Sequence, residues 1–222
     1  MKKVYIYKGF ERFWHWTQSI LIFTLAFTGF EVNGAYEVLG YETAVNVHNF
    51  SAISLIILII FAIFWHFTTG EWKQYIPTKK NMKAQIEYYI TGIFRNAPHP
   101  TRKTILSKLN PLQRLTYLAL KIILIPLMVI TGILYMLYRY GLNGEIHSLK
   151  IGSLEPIAIL HTIGAFLILA FVIAHIYLTT TGHTPTSNIK AMITGWEELE
   201  DEDDDKKENN VNTEKNEKNE NE

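Results

Sequence analysis

The feature that most constrains this chain is the bunching of its apolar residues into four long windows. These windows lie near residues 13–31, 47–67, 115–138 and 156–178. Each is close to the roughly 20 residues that an α-helix needs to cross the hydrocarbon core of a bilayer. Only helices and closed barrels satisfy every backbone hydrogen bond in lipid, and segments of this length suit helices. The sequence therefore predicts an all-α integral membrane protein, built as a bundle of four transmembrane helices.

Charge divides the chain into two parts of opposite sign. Residues 1–196 carry 17 Lys or Arg and 8 acidic residues, whereas residues 197–222 carry 13 acidic residues and 4 lysines. The second part has almost no apolar residues, a composition typical of disorder. We therefore predict a transmembrane domain over residues 1–196 and a disordered acidic tail over residues 197–222. A solubilising role is the plain interpretation of this tail, and docking of a partner is the alternative.

Lys and Arg are distributed unevenly among the segments that join the predicted helices. Four precede the first helix, none lies in 32–46, nine lie in 68–114 and two lie in 139–155. Positive charge is concentrated in the cytoplasmic segments of membrane proteins. We therefore predict that both termini and the long second connector are cytoplasmic. Apolar residues at helical spacing from Met82 onward predict a short interfacial helix within that connector.

Histidine is the residue type that carries chemistry inside the predicted helices. Five of the eight histidines lie within the apolar windows, namely His15, His48, His66, His161 and His175. Ionisable residues are costly in a bilayer and usually serve a function there. The absence of cysteine excludes disulfides, iron–sulfur ligation and covalent c-type haem. Solvated positions are expected for the three connector histidines, which are His99, His147 and His183.

The spacing of the histidines predicts two haem sites. His161 and His175 are 14 residues apart, which places them on one helix face and about 21 Å apart along the axis. His175 is then level with His15 near the cytoplasmic surface, and His161 is level with His48 near the outer surface. We therefore predict two haem b groups, an inner one between His15 and His175 and an outer one between His48 and His161. The alternative is four unrelated polar residues in helix packing.

Three further residues near the cytoplasmic surface are candidates for a haem propionate or quinone site. Arg12 is expected to pair with a propionate, to anchor the first helix, or both. Lys121 is expected either to reach the membrane surface or to meet a propionate. His66 follows His48 by 18 residues, or about 27 Å of helix, so it lies about 6 Å beyond the level of His175. That depth favours a quinone or propionate contact, with an interfacial polar residue as the alternative.

The combination of several of these motifs resembles the pattern found in a known protein family. The family comprises the di-haem cytochrome b subunits of nickel–iron hydrogenase, formate dehydrogenase-N and thiosulfate reductase. The resemblance rests on the motif RFWHW that begins at Arg12, on His48 at the start of the second helix, and on the pair His161 and His175. Two stretches look most like the thiosulfate reductase type, namely LNPLQRLTYLALKIILIPLMVITG and HIYLTTTGHTPTSNIKAMITGWEE. The similarity covers roughly residues 5–197.

The resemblance implies a set of cofactors and partners. It implies two b haems, with the ligands His15, His48, His161 and His175. It also implies a menaquinone or ubiquinone site at the membrane edge and an outer-side partner, either an oxidoreductase or a multihaem cytochrome. The corresponding location is the bacterial cytoplasmic (inner) membrane, and no nucleic-acid partner is expected. His66 is an addition to the four-ligand pattern.

Axial ligation by two histidines limits what such a haem can do. It relays single electrons and leaves no position for oxygen or a substrate. We therefore expect a respiratory electron-transfer subunit of an oxidoreductase complex rather than a catalyst that acts alone. One alternative is a single-chain di-haem cytochrome b acting as a superoxide:quinone oxidoreductase. Another is a transporter with a histidine path, although the lack of intramembrane Asp argues against it.

Overall fold

The computed structural model describes residues 2–95, 97, 100–101, 104, 107–140, 154–182 and 184–199. Its elements, in chain order, are β1 (Lys2–Tyr5), α1 (Gly9–Val32), α2 (Tyr41–Thr69), α3 (Met82–Glu87), α4 (Pro111–Ala119), α5 (Ile125–Tyr140), α6 (Glu155–Thr179), α7 (Ser187–Thr194) and β2 (Trp196–Leu199). The connector histidines His99, His147 and His183 and the predicted tail from residue 200 lie outside the described residues.

Within the described ranges, three helical segments are long and apolar enough to cross a membrane. They are Tyr41–Thr69, Pro111–Arg139 and Glu155–Thr179. Many of their large apolar side chains, such as Phe50, Phe166 and Ile173, are exposed on the protein surface, as expected for side chains that face lipid. The remaining long helix, α1, has 24 residues but is less apolar, because its first half contains several polar side chains.

The long helices extend beyond the predicted apolar windows because local signals set their ends. Helix α2 lies between Gly40 and Gly70, whose φ angles of 81° and 75° are typical of glycine and break the helix. Helix α4 begins with a capping box, in which Asn110 Oδ1 accepts a hydrogen bond from the Gln113 amide at 2.8 Å. Pro111 occupies the first turn of α4, where its missing amide proton is tolerated.

Helices α4 and α5 run on through a π-helical turn at Leu120–Leu124. Pro126 explains the position of this turn, because its ring cannot donate a backbone hydrogen bond and crowds the carbonyl four residues earlier. The wider turn accommodates the proline without ending the helix. The side chain of Lys121 therefore projects from a helix segment with altered geometry.

The long helices pack as two antiparallel pairs, α1 with α2 and α5 with α6. At one end of the first pair, Glu31 is buried and its Oε1 atom accepts hydrogen bonds from the backbone amides of residues 38, 39 and 40 at 2.6–2.8 Å. This carboxylate holds the short α1–α2 loop in place. At the same end, Arg139 of α5 donates a hydrogen bond to the hydroxyl of Tyr41 on α2.

The two ends of the described chain meet in a small antiparallel ribbon. Strands β1 and β2 pair from Lys2 opposite Leu199 to Tyr5 opposite Trp196. Gly195 precedes β2 with a φ angle of 87°, and an added Cβ would lie 2.7 Å from the Tyr7 carbonyl oxygen. Only glycine fits this close approach.

The described part of the chain is mostly helical, as the sequence predicted, and the ribbon of β1 and β2 is a small addition. Residues 197–199, which were predicted to begin the disordered tail, lie in strand β2. The physical reason is that a four-residue strand has no informative periodicity of its own. It forms because the opposite end of the chain offers it a partner. Among the residues that the structure describes, the second connector contains α3, followed by further helical turns to Arg95, as the spacing from Met82 predicted.

Four charged residues join the start of α1 to the second connector. The ammonium group of Lys108 lies 2.7 Å from Glu11 Oε1 and 3.1 Å from Glu71 Oε2, and Lys8 Nζ lies 2.9 Å from Glu71 Oε1. We call Lys8, Glu11, Glu71 and Lys108 the charge cluster. It fixes the segment after α2, and the segment before α4, against the first turn of α1.

Candidate functional site

The structure brings the four predicted ligand histidines together in two facing pairs. The ring centres of His48 on α2 and His161 on α6 are 6.4 Å apart. The ring centres of His15 on α1 and His175 on α6 are 6.2 Å apart. All four side chains are half-buried between the helices. The pairs have the same members that the helix levels predicted, and the role of these residues as iron ligands stays a prediction.

A Thr-Gly sequence on the neighbouring helix supports each histidine of the outer pair. Thr28 Oγ1 lies 2.9 Å from His48 Nδ1, and Thr131 Oγ1 lies 2.9 Å from His161 Nδ1. A Cβ added at Gly29 would lie 3.4 Å from His48 Cε1, and one added at Gly132 would lie 3.4 Å from His161 Cε1. The imidazole rings therefore lie close to α1 and α5 at these glycines, where a Cβ would be in van der Waals contact with them.

The threonine contacts favour protonation of Nδ1 in each outer histidine. Besides the imidazole contact, the Thr28 hydroxyl lies 2.8 Å from the Thr24 carbonyl oxygen, and the Thr131 hydroxyl lies 2.7 Å from the Leu127 carbonyl oxygen. A hydroxyl has one proton, and it donates that proton to the carbonyl. The second short contact at each threonine is then a bond from Nδ1–H to the hydroxyl oxygen. Nε2 keeps its lone pair, which is the form that binds a metal.

The inner pair has different supports. Tyr117 OH lies 3.3 Å from His175 Nδ1, and Phe171 stacks on the His175 ring with a ring-centre distance of 5.8 Å. His15 packs edge-on against Trp16, and its Nδ1 atom is buried without a hydrogen-bond partner among the described residues. The two levels of the bundle therefore hold their histidines by different means.

Three buried polar atoms on the first turns of α1 have no hydrogen-bond partner in the described part of the chain. They are Arg12 Nε, Trp14 Nε1 and His15 Nδ1. Buried polar groups are almost always hydrogen-bonded, so such atoms indicate that a polar group from outside the chain belongs beside them. The remaining guanidinium nitrogens of Arg12 are in use, since Nη1 donates to the Ile193 carbonyl oxygen at 2.6 Å. Arg12 thus also caps the end of α7.

His66 and Lys121 come together with Tyr75, a residue that sequence reasoning missed. His66 is buried, and its Nδ1 atom lies 2.6 Å from the Ala62 carbonyl oxygen while Nε2 lies 3.2 Å from Tyr75 OH. Lys121 Nζ lies over the Tyr75 ring, 3.3 Å from its centre, and 5.9 Å from the Trp14 ring centre. The Trp14 ring is 5.8 Å from that of His66. We call His66, Tyr75 and Lys121 the cytoplasmic-side cluster, a name that follows the predicted orientation.

The protonation of Tyr75 defines the hydrogen bonds of this cluster. Burial raises the pKa of Tyr75 well above its ordinary value, and the nearby Glu11 raises it further. The phenol therefore stays protonated and donates to His66 Nε2. His66 Nδ1 in turn donates to Ala62, so both ring nitrogens of His66 are occupied. No local sequence signal relates Tyr75 to His66, because the turn after α2 reverses the chain between them.

Electrostatics also define the state of the charge cluster. Burial alone opposes the ionisation of Glu71, but hydrogen bonds from Lys8 and Lys108 outweigh it and hold the pKa of Glu71 below its ordinary value. The hydrogen bond that Lys8 donates to Glu71 raises the pKa of Lys8. Both shifts favour the ionised forms, so the cluster is a set of ion pairs at neutral pH.

Comparison with known proteins gives consistent results. A family model described as prokaryotic cytochrome b561 matches residues 6–195. A protein of Escherichia coli (strain K12) named "Putative cytochrome YdhU" is 29% identical over 203 residues, covering 88% of this chain and 75% of that protein. The "Probable Ni/Fe-hydrogenase B-type cytochrome subunit" of Rhizobium leguminosarum bv. viciae is 25% identical over 225 residues, covering 91% and 92%. No solved structure gives a significant match.

Proposed function

Because the chain belongs to the prokaryotic cytochrome b561 family, we propose that it is a di-haem subunit that transfers electrons between quinone and an oxidoreductase partner. Family membership, which the sequence motifs predicted, identifies a membrane cytochrome b that binds haem and takes part in electron transfer. The observation that carries the finer proposal is the presence of two facing histidine pairs at two levels of one bundle.

The spacing within each pair fits an iron atom held by two imidazoles. Two metal–nitrogen bonds of about 2.0 Å, with about 1.1 Å from each nitrogen to its ring centre, put the ring centres roughly 6.2 Å apart. The separations in the structure are 6.2 Å and 6.4 Å. His66, by contrast, packs against Trp14 and Tyr75, and both its ring nitrogens are hydrogen-bonded. These facts support the four-ligand set without His66.

The buried polar atoms at the inner pair fit the edge of a haem. Haem carries two propionate groups, and the unpartnered Arg12 Nε and Trp14 Nε1 atoms are donors that suit a carboxylate. Lys121 contacts the aromatic faces of Tyr75 and Trp14. A cation so placed is also suited to an anionic group at this level of the bundle. We propose Arg12 and Trp14 as propionate partners of the inner haem and Lys121 as a further cation near it.

The arrangement suits electron relay across the membrane. A haem between two imidazoles supplies one-electron transfer and has no open coordination position. Helix α6 contributes one ligand to each level, and the 14 residues between His161 and His175 separate the levels by about 21 Å. The chain thus provides two sites in series along the bundle axis.

The terminal ribbon supports four membrane crossings. Strand β1 precedes α1, strand β2 follows α6 and α7, and the two strands pair directly. The number of crossings between them must therefore be even. Three segments are apolar enough to span, so α1 is proposed as the fourth. The positive charges before α1 support the cytoplasmic side of the bacterial inner membrane as the location of this ribbon and of both termini.

We assign quinone exchange to the cytoplasmic side of the bundle and the partner to the outer side. His66 is buried, and Tyr75 and Lys121 are half-buried beside it, close to Trp14 and the inner pair. His66 and Tyr75 use their polar protons within the protein, so the ammonium group of Lys121 is the member of the cluster that offers hydrogen-bond donors to a menaquinone or ubiquinone oxygen. One relative is named as a hydrogenase cytochrome subunit, which supports an oxidoreductase or multihaem cytochrome as the partner.

The proposal is tested by the haem content of the purified protein. A pyridine haemochrome assay is expected to show two b-type haems per chain, and acid–acetone extraction is expected to remove both. Alanine substitution of any one of the four ligands should lower the content to about one. The matched control is His66→Ala, which removes a buried histidine of α2 and is expected to leave two haems.

Three results would contradict the proposal. These are the absence of haem, haem that resists extraction, and unchanged haem content in the ligand variants. A chain that holds two haems and reduces quinone with superoxide, without any partner protein, would support the single-chain oxidoreductase instead.

A further inference from the structure

We propose that Thr28 and Thr131 are positioning residues that set the reduction potential of the outer haem site. Each hydroxyl accepts the Nδ1 proton of one axial histidine, which orients the ring and makes its Nε2 atom a stronger electron donor to iron. This inference rests on the proposed function, because it assumes that His48 and His161 hold a haem. It assigns the chain's own hydroxyl groups a role in tuning that haem.

The hydrogen-bond geometry favours the histidines as donors, because only then do both short contacts of each hydroxyl become hydrogen bonds. Each threonine oxygen has two short contacts, one to a helix carbonyl at 2.7–2.8 Å and one to an imidazole nitrogen at 2.9 Å. Two such contacts need two protons, and the hydroxyl supplies one. The other belongs to the imidazole, because a carbonyl oxygen has none. Each histidine is thereby held as the tautomer with a free Nε2 lone pair.

Burial makes these contacts exclusive. Thr28 is 1% exposed and Thr131 is 3% exposed, so water does not compete for either hydroxyl. Many threonines of membrane helices only bond back to their own helix. Thr24, one turn before Thr28, has the same type of bond to the Ile20 carbonyl oxygen at 2.9 Å. The imidazole contact is what distinguishes Thr28 and Thr131.

The same arrangement occurs twice around the outer pair. On α1 a Thr-Gly sequence supports a histidine of α2, and on α5 a Thr-Gly sequence supports a histidine of α6. The distance from the threonine hydroxyl to the histidine Nδ1 atom is 2.9 Å in both, and a Cβ added at either glycine would lie 3.4 Å from the histidine Cε1 atom. The inner pair lacks this arrangement, since His175 faces Tyr117 at 3.3 Å and His15 Nδ1 is unpartnered among the described residues. An effect of the threonines is therefore confined to the outer site.

The direction of the effect follows from the chemistry of the ligand. A metal-bound histidine that donates its second N–H becomes more basic, and second-sphere partners of this kind commonly change metal affinity 10- to 100-fold. A more basic ligand favours ferric over ferrous iron. Loss of either hydroxyl should therefore shift the ferric–ferrous equilibrium of the outer haem toward the ferrous form.

The experiment compares the variants Thr28→Val and Thr131→Val with the unsubstituted protein. Valine keeps the shape of threonine and removes the hydroxyl. Redox titration of the purified holoprotein should show each variant raising the midpoint of one component by about 59 mV, which is a tenfold change for a one-electron couple. The same component should move in both variants, and the other component should stay fixed. Low-spin haem EPR should show the same selectivity.

Matched controls separate tuning from general damage. Thr28→Ser and Thr131→Ser retain the hydroxyl and should retain the original midpoint. Thr24→Val removes the neighbouring back-bond on α1 and should change neither component. If a valine variant loses the outer haem, recovery of that haem in the serine variant supports the positioning role, and loss in both variants overturns it.

The remaining outcomes distinguish this inference from the proposed function. In one case His48→Ala removes a redox component, but both valine variants leave the midpoint of that component unshifted. This result overturns the role of the threonines and leaves the proposed function standing. If no haem component is lost when His48 is replaced, the proposed function itself is overturned, and the inference with it.

Discussion

Replacement of Lys108 with Met is expected to destabilise the end of the bundle that carries the charge cluster. The side chain of Lys108 is 7% exposed and its ammonium group bridges Glu11 and Glu71, whose side chains are 12% and 14% exposed. Methionine has a similar length and no charge. The substitution therefore leaves two largely buried carboxylates without the cation that lies between them.

The magnitude follows from the distances and from the partners that remain. Removal of one member of a buried ion pair typically costs about 3–5 kcal/mol, because the other charge is left uncompensated. Lys8 still contacts Glu71 at 2.9 Å, and its backbone amide still donates to Glu11 at 2.7 Å. We therefore expect the low end, about 3 kcal/mol. For a protein of this size that loss lowers the melting temperature by roughly 10 °C.

The assay is thermal melting of the purified holoprotein in detergent, followed by the Soret absorbance. The charge cluster fixes the first turn of α1, and His15 lies on the same helix. The inner haem should therefore be released first in Lys108→Met.

The low pKa of Glu71 adds a pH dependence to the stability. Its stabilising effect is complete above roughly pH 4.3, the value in the unfolded chain, and is lost as the pH falls through the lower folded value. In Lys108→Met the stability that is lost on acidification should be smaller than in the unsubstituted protein, because one of the two cations that lower the pKa of Glu71 is gone.

A second substitution tests the reasoning about stranded charge. Adding Glu11→Gln to Lys108→Met removes one uncompensated carboxylate and should recover more than half of the lost stability. A change of less than about 1 kcal/mol in the single variant would show that the pair contributes little, as exposed pairs do. A double variant that is less stable than the single one would show that charge compensation is not the cause.

Three further predictions concern topology, ligand pairing and the cytoplasmic-side cluster. Fusions to a reporter that is active only outside the cytoplasm should be silent at Glu222 and active near Tyr41, because the paired terminal strands require an even number of crossings; the reverse pattern would contradict the orientation. Potentiometric titration should show that alanine variants within one facing pair lose the same haem component, and a pair divided between components would refute the pairing. His66→Ala should keep both haems, because both ring nitrogens of His66 are hydrogen-bonded to protein groups, and it should slow quinol-dependent haem reduction, because it removes the group that holds the Tyr75 hydroxyl; loss of one haem would instead identify His66 as a ligand.

Much of the fold and of the candidate site was predictable from sequence because the bilayer restricts the backbone to few choices. An apolar run of the length of 156–178 has to be helical in lipid, and the constant rise of a helix converts sequence spacing into depth. The levels of His161 and His175 therefore follow from the chain alone, and so do the partners at the same depth. Family membership was also predictable, since the motifs that carry it lie on these helices.

Contacts between elements were decided by the tertiary structure. The recurrence of Thr-Gly at residues 28 and 131 is visible in the sequence, but its contact with His48 and His161 depends on how each helix is rotated about its axis. Tyr75 meets His66 only because a turn reverses the chain after α2.

The ends of the folded part also separate what the sequence determined from what the tertiary structure decided. Acidic composition predicted disorder from residue 197, yet residues 197–199 pair with β1. Composition describes a segment by itself, whereas a short strand is stabilised by hydrogen bonds to another strand. Here that strand lies almost the whole length of the chain away, and only the packing of the helices brings the two together. Spacing along one helix is a local quantity that a sequence contains, but the rotation and pairing of distant segments depend on all of their contacts at once.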